Sequence, residues 1–332
     1  MHLRLVIPHA VWPKETEAAE VTVGLKPAAF SLLCGRGARE RFEPVRCLDW
    51  LAQAFGLDDF PAGPLTLAAE HADAEPGYWL RADPVHLMAN QFGACMADPR
   101  GLHVSPDEAV QLVATLNHQF AGDDMHFIAA TPDRWLLRLA DAPQVKFAEL
   151  ESAFGNEDIG AFLPQGPDAA RWHRRINEMQ MLLYAHPVND IRASLGLPLI
   201  NSLWLWGGGR YPLRHDLQKP AEWLMADDPM IAALARLAGC HRGPRPGMLG
   251  NLPGKKVLVV LDDLAYPALW GDALTWREGW TMLEGDWFAP AHEWLSAGKI
   301  STLELILPEA GLRIALDRRA LWCMWRRPWL PW

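Results

Sequence analysis

Three groups of residues in this 332-residue chain carry side chains whose types and spacing could do chemistry. The first group combines the segment HPVNDIR, from His186 to Arg192, with the segment NSLWLWGGG that ends at Gly209. A helix end, a short helix and a strand would bring these residues to one edge of a sheet, where α/β proteins bind ligands. Glycine N–H groups can approach an anion closely there. The candidate ligands of the anion are His186, Asn189, Arg192, Asn201, Gly207, Gly208 and Gly209.

The first group also has a purely structural interpretation. In that interpretation Asn189 caps a helix, His186 satisfies a backbone group and the three glycines form a turn. Residue types alone leave both interpretations open.

The second group, RADPVH, contains Arg81, Asp83 and His86. An arginine at the end of a strand could hold a phosphate or a carboxylate through two parallel hydrogen bonds. It could equally pair with Asp83 and fix a turn at Asp83-Pro84, and such a pair contributes little to stability where it is exposed.

The third group consists of Asp262, Asp263 and Asp272. The first two follow the apolar run KVLVVL at 256–261, and carboxylates after a buried parallel strand can hold a divalent metal ion through oxygen ligands. No histidine or aspartate clusters around them at ligand spacing, and Asp263 could cap the next helix instead. The sequence therefore favours a structural role and predicts no metal site, with Asp262 and Asp263 as the remaining candidates.

Composition and missing motifs exclude several classes of function. The net charge of −9 argues against general nucleic-acid binding, because phosphates would be repelled at long range. The chain has no phosphate-binding GxxxxGK[ST] loop, no GxGxxG after a strand, no HExxH and no GxSxG. Its five cysteines are widely spaced and no apolar run reaches eighteen residues, so we expect a cytoplasmic protein without a transmembrane segment.

Strands and helices must alternate to position these groups, which predicts an α/β fold. The pattern predicts a first strand at residues 3–7, a new unit beginning within 56–77, and a strand at 78–88 with a turn at Asp83-Pro84. Ser105 and Glu108 form a capping box that opens a helix, and His186-Pro187 ends the next long helix. Further predicted elements are two strands in 126–139, a strand at 200–206, a strand at 256–261, a helix at 278–295 and strands at 302–307 and 312–316.

The order of these segments resembles the archaeal-type, cofactor-independent phosphoglycerate mutases of the alkaline phosphatase superfamily. The matching segments are LRAD at 80–83, DEA at 107–109, LPQG at 163–166, HPVNDIR at 186–192 and NSLWLWGGG at 201–209. The chain looks even closer to bacterial mutase-like proteins of the RpfE regulatory type. The resemblance implies an alkaline-phosphatase-like α/β core sheet flanked by helices, formed by residues 1–75 and 187–332, with an inserted smaller α+β domain at 76–186.

The resemblance also implies site residues and shows what is missing. Arg81, His186, Asn189, Arg192 and the turn from Trp206 to Gly209 match positions that hold the substrate's phosphate and carboxylate in the mutases. Asp83 stands where that family has asparagine, a change that would repel an anionic substrate. The mutases also need an aspartate on the first strand, a serine nucleophile and two metal ions. Here the first strand ends IPHAVW, and the last third lacks the family's metal-binding segments.

Three functional hypotheses follow. The leading one is a mutase-like scaffold that has lost the metal-dependent site and acts as a cytoplasmic regulatory protein, binding a small anionic ligand or a protein partner, without a cofactor. The alternative is an active mutase or phosphatase with a rearranged site at Arg81, His186, Asn189 and Arg192, which would use Mn, Zn or Mg. The third is an interaction protein that uses the tail Arg318–Trp332, which holds four of the chain's 17 tryptophans and four arginines.

Overall fold

The computed structural model describes residues 1–71, 74–213, 216–323 and 325–332. Over these residues the chain forms two compact units, Met1–Phe60 with His215–Trp332, and Pro61–Arg214. The first unit begins with β1 (His2–Val6), α1 (Glu15–Thr22), α2 (Ala28–Arg36), β2 (Ala38–Arg41) and α3 (Cys47–Ala54).

The second unit interrupts the first. Its elements are α4 (Ala62–Glu70), β3 (Gly77–Val85), β4 (Leu87–Asn90), β5 (Gly93–Met96), α5 (Pro106–Gln119), β6 (Met125–Thr131), β7 (Arg134–Leu139), α6 (Ala169–Tyr184), α7 (Pro187–Ser194) and β8 (Ser202–Tyr211). The chain then returns to the first unit with β9 (Trp223–Met225), α8 (Pro229–Leu237), β10 (His241–Gly243), β11 (Lys256–Val260), α9 (Ala265–Trp270), α10 (Ala273–Leu283), α11 (Ala289–Ser296), β12 (Thr302–Leu307) and β13 (Leu312–Asp317).

Within the described residues, the first unit is built on a seven-stranded sheet in the order β10-β9-β11-β1-β12-β13-β2. Strands β10, β9, β11, β1 and β12 run parallel to one another, and β13 runs antiparallel to both of its neighbours, β12 and β2. The interior of β1 and β11 is almost entirely apolar and buried, as expected for strands covered on both faces. Trp276, Trp280 and Trp287 are fully buried among the flanking helices. The predicted α/β class, with a core sheet flanked by helices, is confirmed.

The second unit is α+β. Over the described residues it contains a four-stranded antiparallel sheet, β6-β7-β3-β8, and the separate hairpin β4-β5. The apolar faces of α5 and α6 pack on this sheet around Trp135 and Trp172. The predicted capping box opens α5, where the Ser105 hydroxyl accepts from the Glu108 backbone N–H and the Glu108 carboxylate accepts from the Ser105 N–H.

Two turns expected from the sequence are absent from the described structure. Asp83 and Pro84 lie inside β3, where they pair with Trp204 and Leu203 of β8, so the predicted turn is wrong. The glycines from Gly207 to Gly209 do not end a strand either, because β8 continues through them to Tyr211. The backbone pairing with β3 on both sides of these residues outweighs their local preference for turns.

The second unit also begins earlier and ends later than the insert expected at residues 76–186. Helix α4 packs against both β3 and β8, and β8 pairs with β3 along most of its length. These contacts place α4, α7 and β8 in the same unit as the insert.

Within the described residues, none of the helices combines the length and the apolar character needed to cross a membrane. None of the five cysteines, all of which lie in the described part of the chain, forms a disulfide.

Candidate functional site

The carboxyl ends of four adjacent parallel strands carry ionisable side chains in the first unit. Asp227 follows β9, Asp262 and Asp263 follow β11, His9 follows β1 and Glu309 follows β12. Because β9, β11, β1 and β12 are neighbours and run in the same direction, these residues lie along one edge of the sheet. Open α/β sheets bind their ligands at this edge.

Arg245 occupies the middle of the aspartate group. Its guanidinium donates to both carboxylate oxygens of Asp263, with distances of 2.7 Å from Nη1 to Oδ2 and 3.0 Å from Nη2 to Oδ1. Its Nε lies 3.5 Å from Oδ2 of Asp227 and 4.0 Å from Oδ1 of Asp262. Its backbone N–H also donates to Oδ1 of Asp227, which fixes the loop that carries it. We call Asp227, Arg245, Asp262 and Asp263 the Arg245 cluster.

The charges of the Arg245 cluster do not balance. Three carboxylates face one guanidinium, whose side chain is only 18% exposed. Burial raises the pKa of Asp262, and the carboxylates of Asp263 and Asp227 add to this increase, while Arg245 opposes it. The cluster therefore attracts cations, and the chain itself supplies one.

The Arg245 cluster does not fit the metal centre that the mutase resemblance implies. A two-metal site needs several carboxylate and imidazole groups that converge on open positions. Here both oxygens of Asp263 are bonded to a guanidinium, which has no lone pair to offer and stays protonated. Across residues 1–71, 74–213, 216–323 and 325–332, no three His, Cys, Asp or Glu side chains converge in a way that could hold a metal ion. Asp272, the third aspartate in the predicted group, instead caps α10 by accepting from the Thr275 backbone N–H.

His9 lies further along the same edge in a constrained conformation. Its φ of 51° is in the left-handed region, which non-glycine residues seldom adopt. Its backbone N–H donates to Glu309 over 2.9 Å, its carbonyl accepts from the Trp276 indole, and its Nε2 lies 3.9 Å from Glu309. Burial lowers the pKa of His9, and the Glu309 carboxylate only partly opposes this. The imidazole is therefore neutral at pH 7, and its buried Nδ1 has no hydrogen-bond partner among the described residues.

In the second unit, the predicted anion ligand Arg81 is bonded to its own neighbours. Its Nε and Nη2 donate to Oδ1 of Asp83 over 3.0 and 2.6 Å, and its Nη1 donates to the Thr66 hydroxyl. The second Asp83 oxygen accepts from the Trp206 indole over 2.6 Å. Arg81 and Asp83 are both buried. The structure thus brings together three predicted residues, Arg81, Asp83 and Trp206, in a network where Asp83 occupies the guanidinium edge that an anion would need.

The residues around α7 are engaged in the same way. Asn189 donates to the carbonyls of Leu183 and Ile200 and accepts from the Ile200 N–H, so it fastens the helix to the start of β8. Arg192 is fully buried and donates to the carbonyls of Pro198 and Leu102 and, with Nη1 at 3.0 Å from each oxygen, to the Glu108 carboxylate.

The helix cap at α7 differs from the expected one. His186, not Asn189, is the cap residue, because its Nδ1 accepts from the Val188 N–H. Its Nε2 lies 3.1 Å from the Thr115 hydroxyl of α5.

The remaining predicted ligands also contact backbone groups. Asn201 makes two 2.8 Å hydrogen bonds with the backbone of Leu87, and Nδ1 of His86 lies 2.9 Å from the Leu199 carbonyl. Gly207 and Gly208 form a bulge opposite one residue of β3, and Gly207 has a φ of 59°. Anion binding by these residues stays a prediction, and Asn201 and His86 would first have to release the contacts described here.

The tail divides into a packed part and an exposed part. Trp332 packs on Phe30 and Trp280, with ring centroids 6.3 and 5.1 Å apart, and Trp329 lies under the guanidinium of Arg39. Trp322 and Trp325 are 73% and 78% exposed. Two of the four tail tryptophans therefore remain accessible for the interaction that the sequence suggested, a role that stays a prediction.

Four residues of the strand-end edge were not predicted from the sequence: His9, Asp227, Arg245 and Glu309. Three of them, His9, Asp227 and Glu309, could have been recognised, because each follows a short apolar strand by two or three residues. Arg245 gives no such signal, because it lies in a proline- and glycine-rich loop far from the aspartates in sequence.

Comparison with known proteins gives the same family resemblance as the motifs. No protein-family model matches the chain. The chain is 31% identical over 147 residues to the 2,3-bisphosphoglycerate-independent phosphoglycerate mutase of Methanosarcina mazei. This match covers 42% of this chain and 36% of that relative. It is 26% identical over 132 residues to the probable enzyme of the same name from Geobacter sulfurreducens, covering 40% of this chain and 33% of the relative.

The matches thus span about a third of the length of these curated relatives. Among solved structures, the cofactor-independent phosphoglycerate mutase of Thermoplasma acidophilum superposes with a TM-score of 0.40 at 13% identity, over 95% of this chain and 89% of that one. A Pyrococcus horikoshii protein gives a TM-score of 0.49 at 14% identity, over 95% and 87%. The predicted resemblance to phosphoglycerate mutases is confirmed for part of the chain.

Proposed function

We propose that this chain is a phosphoglycerate mutase-like pseudoenzyme, in which a guanidinium has replaced metal ions at the catalytic edge of an alkaline-phosphatase-like core. It acts as a cytoplasmic binding or regulatory protein. One observation carries the proposal, namely the position of Arg245 among Asp227, Asp262 and Asp263. The five cysteines, which form no disulfide in the described part of the chain, are in keeping with a reducing compartment.

The chemistry of arginine explains why this replacement would remove metal-dependent turnover. A metal ion in such a site lowers the pKa of a bound nucleophile and accepts lone pairs from the transferred phosphoryl group. A guanidinium keeps its proton and accepts no lone pair, so it can neutralise the aspartates without activating a nucleophile.

The predicted substrate-binding residues of the second unit support the same proposal. In an enzyme that binds phosphoglycerate, Arg81 and Arg192 would hold the substrate's anionic groups. In this chain Asp83 and Glu108 already neutralise them. The rearranged-enzyme alternative would require both arginines to exchange an internal carboxylate partner for substrate.

Turnover and metal content test the proposal. Purified protein is assayed for conversion of 3-phosphoglycerate to 2-phosphoglycerate and for hydrolysis of p-nitrophenyl phosphate, with added Mn²⁺, Zn²⁺ or Mg²⁺ and with EDTA. The mutase of Methanosarcina mazei serves as the positive control. We expect no metal-dependent turnover and no stoichiometric metal by elemental analysis. Turnover that EDTA abolishes, together with bound metal, would refute the proposal.

A further inference from the structure

A cavity of about 350 Å³ lies entirely within the second unit. Helix α6, strand β8 and the segments at 147–148 and 158–164 form its walls. Strand β8 is the last strand of its sheet within the described residues, so the cavity lies beside an open sheet edge. Its volume is in the range of sites that bind small molecules.

The walls of the cavity are mainly aromatic and aliphatic. Phe147, Phe162, Trp204, Leu205 and Ile176 are among the residues that line it. The indole of Trp204 already donates to the Ala148 carbonyl over 2.9 Å, so its ring borders the cavity without an unsatisfied polar atom. Such walls favour a flat apolar ligand, because aromatic surfaces gain from both burial and ring stacking.

Three polar side chains of the cavity lie on one face of α6 and can form hydrogen bonds. His173, Asn177 and Gln180 are spaced four and three residues apart, which places them on the same side of the helix. Gln180 donates to the Ser202 hydroxyl over 3.2 Å, and Nε2 of His173 lies 2.9 Å from the Pro164 carbonyl. Asn177 is exposed at the cavity and can offer both a donor and an acceptor.

The described lining holds no lysine or arginine, and its one imidazole, that of His173, already has Nε2 2.9 Å from the Pro164 carbonyl. Its one carboxylate, Asp158, accepts from the Gly160 N–H over 3.0 Å. Moving an anion into an apolar site without a cation is costly, and Asp158 would add repulsion.

We propose that this cavity is a binding site for a small, uncharged, aromatic molecule that carries an amide-like group recognised by Asn177. The site differs from the anion site expected around Arg81 and Arg192, and it lies in a different unit from the Arg245 cluster. The inference goes beyond the proposed function and does not depend on it, since a cavity in the second unit can bind a ligand whether or not the first unit is active.

Fluorescence titration with the neutral probe N-phenyl-1-naphthylamine tests the site. We expect saturable binding at one site per chain, displaced by 2-naphthamide. The isosteric anion 2-naphthoate should compete at least about tenfold more weakly, because the lining offers no lysine or arginine and Asp158 repels an anion. Non-saturable probe binding, or equal competition by the two naphthalenes, would overturn the proposal.

Matched variants locate the binding. Ala94 lines the cavity and is half-buried, so Ala94→Phe should fill it and abolish probe binding. Ala170→Phe, on an exposed position of α6 outside the cavity, is the control and should bind the probe as the unaltered protein does. Asn177→Leu should weaken 2-naphthamide by about three- to tenfold while leaving probe affinity unchanged. Circular dichroism confirms that each variant is folded, and a folded Ala94→Phe variant that still binds the probe would contradict the assignment.

Discussion

Arginine side chains in this protein neutralise carboxylates at positions where the mutase resemblance suggests metal or phosphate. Arg245 pairs with Asp263, Arg81 with Asp83 and Arg192 with Glu108. A guanidinium that is buried with hydrogen-bonded partners is costly to free, because removing one partner leaves the other charge unpaired. Substituting one of these arginines alone should therefore destabilise the fold.

Arg192 gives the clearest test of this structural role. It is fully buried and bonds to two carbonyls and to the Glu108 carboxylate. We expect Arg192→Ala to lower the free energy of unfolding by about 3–5 kcal/mol in urea denaturation, because Glu108 and the carbonyls lose their partner. Arg192→Lys should lower the free energy of unfolding by less than Arg192→Ala. The control Arg174→Ala, on an exposed position of α6, should change little, and a similar loss in the control would contradict the structural role.

His9 predicts a pH dependence of stability. Burial lowers its pKa in the folded state below the usual value of about 6.5, so the unfolded chain takes up a proton that the folded chain rejects. Stability is therefore lost as the pH falls below about 6.5 toward the folded pKa. His9→Asn keeps a residue that tolerates the left-handed backbone and removes the titration.

The direction of this pH dependence is checked by measuring the free energy of unfolding of the unaltered protein and of His9→Asn at pH 7.5 and 5.5. The unaltered protein should lose more stability on acidification than His9→Asn. The contribution of His186, whose pKa burial also lowers, is common to both and cancels. Equal losses in the two proteins would show that His9 does not contribute.

Sequence patterns predicted individual side chains only where their partners are close in the chain. Ser105 and Glu108 are three residues apart, and their capping box is confirmed. Asn201 and Leu87, by contrast, are 114 residues apart, so their hydrogen bonds had no local signal. Arg245 and Asp263 form a pair of the same kind, 18 residues apart with a strand between them.

Helices and strands followed the sequence wherever local periodicity and tertiary packing agree. Strands β11, β12 and β13 and helices α5 and α6 were all expected at nearly their observed positions. Strand β8 shows where this agreement fails, because three successive glycines predict a turn. Helix α4 packs so closely on this part of β8 that a Cβ at Gly207 would overlap Ala62. The glycines therefore serve a close approach between elements that are distant in sequence.

Substitution of Gly207 tests this account of β8. Gly207→Ala should lower the free energy of unfolding by about 1–3 kcal/mol, because it combines a left-handed φ with a contact against α4. Gly122 is a matched control, since a Cβ there meets no atom within 4 Å and the residue is exposed. Gly122→Ala should change stability by less than about 0.5 kcal/mol. Thermal and urea denaturation measure the stability of the two variants. A Gly207→Ala variant as stable as the unaltered protein would contradict the close packing of α4 on β8.

The architecture of the whole molecule was predictable from the sequence, whereas the set of side chains at the strand-end edge was not. Alternating strands and helices predicted the α/β class, and the motif series predicted both the resemblance to phosphoglycerate mutases and an inserted α+β unit. The grouping of side chains at the strand-end edge could not be predicted in this way. Only the strand order of the sheet shows that His9, Asp227, Asp262 and Glu309 lie side by side. The 17 tryptophans include a buried cluster around Trp280, the buried Trp204 and Trp206 of β8, and the exposed Trp322 and Trp325 of the tail.

In the molecule as a whole, we propose that Arg245 takes the place of metal ions at the strand-end edge of the first unit. Calorimetric titration with Mn²⁺ tests this proposal most directly. The unaltered protein should show no saturable binding in the micromolar range. Asp227, Asp262 and Asp263 do not converge on one position while Arg245 lies between them, but without its guanidinium they could turn toward a single ion. Arg245→Ala should therefore gain Mn²⁺ binding, whereas Arg242→Ala, at an exposed position of β10, should not. Stoichiometric Mn²⁺ binding by the unaltered protein that is lost in Asp262→Asn or Asp263→Asn would contradict the account.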